Sequence, residues 1–107
     1  MTYIELIQTY GPAVEDDHSV IKAAACNEIP YEEISPYIDI PCDYGDGYYH
    51  GVKEGLLQVI ILLGNLGLPP TEIFRILSAT PVYGCITLDV VTKWYYMLPI
   101  HIHKEGK

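Results

Sequence analysis

With 107 residues, half of them apolar, the chain fits one helical domain over 1–107 with enough surface to bury for a core, and its composition excludes a disordered chain. A net charge of −8 repels nucleic-acid phosphates and attracts cationic proteins, so direct nucleic-acid binding starts at a disadvantage. Cys26, Cys42 and Cys85 are odd in number and form no CxxC pair, which argues against a disulfide framework and for a reducing, cytoplasmic setting.

The opening MTYIELIQTYG has neither a basic n-region nor a long apolar run, so no signal peptide is expected. Tyr3 to Tyr10 gathers Tyr3, Ile4, Leu6 and Ile7 close together on a helical wheel, and Gly11-Pro12 ends that helix. Asp16 or Asp17 can cap the next helix, whose apolar side runs through Val20, Ile21, Ala24 and Ala25 until Ile29-Pro30 breaks it. Pro30 to Ile34 reads as a short helical turn with proline at its first position, limited by Pro36.

Residues 39–47, DIPCDYGDG, are rich in turn chemistry and predict a loop. A helix follows from about Tyr49 to Leu63. Val52, Leu56, Val59, Ile60 and Leu63 cover one of its faces, and Leu57 and Ile61 much of the other. Such a helix should lie at the centre of the fold, buried on most sides, and stop at Gly64 and Gly67. Its apolar stretch, Leu56 to Leu68, is interrupted by Gln58, Gly64, Asn65 and Gly67 and is too short to span a bilayer.

Pro69-Pro70-Thr71-Glu72 opens another helix that turns Ile73, Ile76 and Leu77 inward. The segment from Ala79 to Ile86 is a connector. Thr87 then caps a helix from Leu88 to about Leu98, with a stripe of Val90, Val91, Trp94, Met97 and Leu98 and an Asp89–Lys93 pair one turn apart. Segments 37–42 and 98–103 can also be read as short strands, each lacking a hairpin partner, and 98–107 as an extended tail. The predicted fold is all-α: five or six short helices around a buried central one.

Matches at an offset of 39 residues can be read as coincidence or as an internal repeat. Val20, Ile21, Pro30, Glu33, Ile34, Tyr44, Gly45 and Val52 recur as Val59, Ile60, Pro69, Glu72, Ile73, Tyr83, Gly84 and Val91. Each copy reads as helix, proline turn, short helix, Tyr-Gly loop, helix, with the central helix shared between them. Two such units make a pseudo-symmetric helical array, too short for an open solenoid.

No motif carries catalysis or a cofactor. Gly45-Asp46-Gly47-Tyr48-Tyr49-His50-Gly51 is spaced GxGxxxG, and no βαβ unit surrounds it, so it is no dinucleotide loop. Counted from Asp43, a calcium loop would place Gly45 and Gly47 where oxygen ligands belong. Cys42, His50, His101 and His103 could be gathered into a zinc site, but no close ligand pair announces one. Cys42 with His50 is a weak case for a nucleophile pair, and no metal, cofactor or enzymatic activity is expected.

Charge placement is the stronger signal. Residues 1–54 hold eleven acids against Lys22 and Lys53, net −9, while residues 55–107 hold three acids and four bases, net +1. Between Glu28 and Tyr49, Glu28, Glu32, Glu33, Asp39, Asp43 and Asp46 alternate with Tyr31, Tyr37, Tyr44, Tyr48 and Tyr49. Tyrosine anchors ringed by carboxylates suit recognition of a basic protein partner, as in a small inhibitor, antitoxin, immunity protein or nucleic-acid mimic. Two alternatives compete. The helix pair ending in Leu88–Met97 has the rhythm of a DNA-binding helix-turn-helix, although Lys93, flanked by Thr92 and Tyr96, is its sole cation. The apolar C-terminal half also suits a structural homo-oligomer.

Overall fold

The computed structural model describes residues 2–14 and 16–100, and helices are its only extended elements: no strand occurs among the described residues. The all-α expectation holds, and the strand reading of 37–42 does not. The expectations for 101–107, including the tail and the two tail histidines, lie outside the described residues.

Helix α1 (Tyr3–Tyr10) is held at its start by a reciprocal capping box. The Thr2 hydroxyl accepts from the Glu5 amide at 3.2 Å, and the Thr2 amide donates to the Glu5 carboxylate at 2.8 Å. Gly11 ends it at φ 47°, a conformation that favours glycine. Asp16 caps α2 (Asp17–Cys26) by accepting from the Ser19 amide at 2.8 Å. Val20, Ile21, Ala23, Ala24, Ala25 and Cys26 are all buried in α2, and its three alanines let neighbouring backbone approach closely.

Pro30 caps α3 (Tyr31–Ile34) and is not its first helical residue as the sequence suggests. A 3-10 turn, Ser35–Tyr37, extends α3 and accommodates Pro36, because a proline near the start of a helical turn gives up no needed donor.

The largest departure is α4, which runs from Cys42 to Asn65 instead of starting at Tyr49. Residues 42–47, expected as loop, are its first turns. Pro41 is extended at the cap position, and Asp43 sits in the first turn, where the helix end is positive. The local glycines are overridden by packing, since Gly45, Tyr49 and Val52 are buried in line with Leu56, Ile60 and Gly64. These six residues form the single buried stripe of α4. Leu57 and Ile61 are only half-buried, and Leu62 is 59% exposed, so apolar residues all round the helix did not mean burial all round.

Helix α5 (Pro70–Ser78) buries Ile73 and Leu77, whereas Ile76 faces outward. Thr87 caps α6 (Leu88–Met97) through the Val90 amide at 3.3 Å, as its position predicts. The buried residues of α6 are Val91 and Tyr95; Met97, expected inward, is exposed. Lys93 does not pair with Asp89. It reaches Glu28 instead, at 2.9 and 3.0 Å to the two carboxylate oxygens.

The buried side chains fall into two clusters joined along α4. One unites α1, α2, α3 and the first half of α4. The other unites the second half of α4 with α5 and α6, closed by Ile100 lying on Gly64. Ile21, Ile34 and Val52 are core residues of the first, and their repeat partners Ile60, Ile73 and Val91 are core residues of the second.

Candidate functional site

The helical start of α4 decides where the predicted contact residues go. Successive residues of a helix are about 100° apart, so Asp46 and Tyr48 point about 200° apart around it. A surface alternating carboxylates with phenols is thereby divided between two flanks.

On one flank a notch of about 280 Å³ opens between the turn leading into α3 and the first half of α4. Glu28, Tyr31, Glu32, Asp46 and Tyr49 line it, so five of the eleven expected residues converge there. Pro30, His50 and Lys53 complete the walls. Tyr49 is buried, and its hydroxyl donates to the Ile29 carbonyl at 2.6 Å. Burial, followed by the charges of Glu32, Glu28 and Asp46, pushes the Tyr49 phenol above its ordinary pKa. Tyr31 packs edge-on against Tyr49 with ring centroids 5.8 Å apart, and burial followed by Cys42 and Asp46 also raises its pKa. The Tyr31 hydroxyl is buried with no hydrogen-bond partner, wedged over the Gly45 backbone.

The two rings form a rigid wall, and the exposed Glu32 and Asp46 stand at the rim. His50 lies 3.3 Å from the Asp46 carboxylate, one turn along α4. Glu28 is held in left-handed backbone, at φ 61°, and engages Lys93. Glu33 and Asp43 are exposed and make no ion pair among the described residues.

The remaining expected residues stand apart from the notch. Tyr37 stacks on Tyr3 at 4.3 Å, and the Asp39 amide donates to the Asp17 carboxylate at 2.9 Å. Tyr44 and Tyr48 lie nearly parallel on the opposite flank of α4, and the His18 ring packs nearly perpendicular to both. Beside them a second depression, about 380 Å³, is lined by Gly47, Tyr48, Gly51, Val52, Val82 and Tyr83.

Sequence reasoning missed His50 and Lys53 as notch residues. The Asp46–His50 spacing was the available signal, but it speaks only once residues 42–50 are read as helix. Cys42 and His50 are two turns apart on α4, about 12 Å along its axis, so they form no nucleophile pair. No group of three or more His, Cys, Asp or Glu residues is placed to hold a metal ion among the described residues. No described helix is long and apolar enough to cross a membrane. On α6, Lys93 spends its ammonium on Glu28, which leaves that helix without an unpaired cation to offer a phosphate.

No protein-family model, curated protein or solved structure matches this chain.

Proposed function

We propose that this chain is a non-enzymatic interaction module that binds a basic protein through the acidic notch between α3 and α4. In its sharpest form it is a small inhibitor, antitoxin-like or immunity-like, covering the cationic surface of a nucleic-acid-binding protein. One observation carries this reading: Glu32 and Asp46 stand exposed at the rim of a notch whose wall is two packed tyrosines. Tyr31 and Tyr49 belong to the core and back the notch, and the carboxylates at the rim speed the encounter with an oppositely charged surface.

The test is a titration with fluorescently labelled oligoarginine at low and high salt. Wild-type protein binds it in low salt and releases it as salt screens the attraction. Glu32→Lys with Asp46→Lys weakens binding at least tenfold while the helical circular dichroism stays unchanged. Equal affinity for the double variant and the wild type overturns the proposal. Recovery of the natural partner then follows from a pull-down comparing the same two proteins.

A further inference from the structure

The four glycines between Cys42 and Leu56 in α4 do not have the same reason to be there. A Cβ at Gly45 would strike the Tyr31 side chain, and one at Gly55 would lie 2.8 Å from the Tyr83 hydroxyl. Gly47 and Gly51 differ, since a Cβ on either would meet nothing within 4 Å. Glycine is a poorer helix former than alanine, and nothing among the described residues explains two of them one turn apart on an exposed flank. They form the floor of the second depression, whose walls are Tyr48, Val52, Val82 and Tyr83. No charged side chain lines it among the described residues. Tyr44, 57% exposed, and Val82, 38% exposed, add apolar surface beside it.

We propose that this groove receives a lysine- or arginine-flanked amphipathic helix of the partner protein, small residues against Gly47 and Gly51. The proposal rests on the acidic reading above and adds the form of the partner. A bare helical backbone one turn long is a surface that another helix can approach closely, its ridge lying in the groove that the glycines leave. Charge selects which helix. Asp43, one turn before Gly47, and Glu54, three residues after Gly51, are exposed along the solvent edge of this flank. A second copy of the chain would bring its own half of net charge −9 against this one, which disfavours self-association here.

Amide NMR shifts of the whole chain test this with three peptides: a lysine-flanked amphipathic helix with an alanine face, its glutamate-flanked counterpart, and the lysine peptide interrupted by proline. The expected result is that only the lysine helix shifts Gly47, Tyr48, Gly51 and Val82. Gly51→Leu, placed where there is open space, keeps the fold and weakens this binding at least tenfold. Shifts confined to Glu32, Asp46 and His50 overturn the groove and leave the notch reading standing. Equal shifts from the glutamate peptide overturn the basic partner, and equal shifts from the proline peptide overturn the helical one. Dimerisation that Gly51→Leu abolishes overturns the proposal in favour of a second copy, and no shift from any peptide overturns it outright.

Discussion

The two halves of the molecule use one plan and put different chemistry on it. α2, α3 and the first half of α4 follow the same order as the second half of α4, α5 and α6: helix, proline, short helix, helix. The helix stops match in detail. The Ile29 amide donates to the Ala24 carbonyl at 3.0 Å, and the Leu68 amide to the Leu63 carbonyl at 3.2 Å. Between them, Glu28 at φ 61° and Gly67 at φ 95° occupy equivalent left-handed positions. The halves part company at Tyr44-Gly45, inside α4, and Tyr83-Gly84, at the end of a 3-10 turn. They also part in charge. Buried apolar positions and helix stops set the frame, which leaves the exposed faces of the first half free to become acidic.

The shared plan of the two halves is tested most severely in their cores. Ile21 and Ile60 are both fully buried, one in each cluster. Replacing either by alanine should cost about 2–5 kcal/mol, through lost burial and the cavity left behind. Because α4 belongs to both clusters, each variant should unfold in urea as one transition, with Trp94 fluorescence and helical circular dichroism coinciding. Separate midpoints for the two signals would show that the halves fold as independent units.

The Tyr-Gly joint gives the next effect in size. A Cβ at Gly45 would overlap the Tyr31 hydroxyl and fall 2.9 Å from its ring, whereas at Gly84 the nearest atom is 3.7 Å away. Gly45→Ala should therefore cost about 1–3 kcal/mol by overpacking. Gly84→Ala should stay within about 0.5 kcal/mol of the wild type. Removing the obstructing hydroxyl with Tyr31→Phe should lessen the Gly45→Ala penalty, and since that hydroxyl has no partner, Tyr31→Phe alone should not destabilise. Chemical denaturation of the four variants checks this, and equal penalties at Gly45 and Gly84 would erase the distinction between the joints.

Helix positions marked by caps and prolines were legible in the sequence. Asp16, Thr87 and Gly11 act where their residue types say they should, and the repeat picked out core positions such as Ile34 and Ile73. What could not be read was where local propensity loses to packing. DYGDG reads as a turn until Tyr31 is known to need the bare backbone of Gly45. The same reading misplaced the candidate site, because in a loop Asp46 and Tyr48 can share a surface and in a helix they cannot. Lys93 likewise has a partner within its own helix in sequence, and the fold offers it Glu28 from the other half.

The smallest effect bears most directly on the notch. Gly67 occupies its left-handed position without strain, so Gly67→Ala should cost about 1–2 kcal/mol, the price of a Cβ in that conformation. Glu28 already carries a penalty of that kind. Glu28→Gly should relieve it and give up only a partly exposed ion pair with Lys93, worth at most about 1 kcal/mol. The expected net result is a gain of up to about 1 kcal/mol in urea denaturation, with Lys93→Ala nearly neutral. On the proposed reading of the notch, a glutamate is kept where glycine would fold better because its carboxylate, shared with Lys93, is used there. If Glu28→Gly is instead destabilising, the ion pair outweighs the strain and Glu28 is a fastener between the halves.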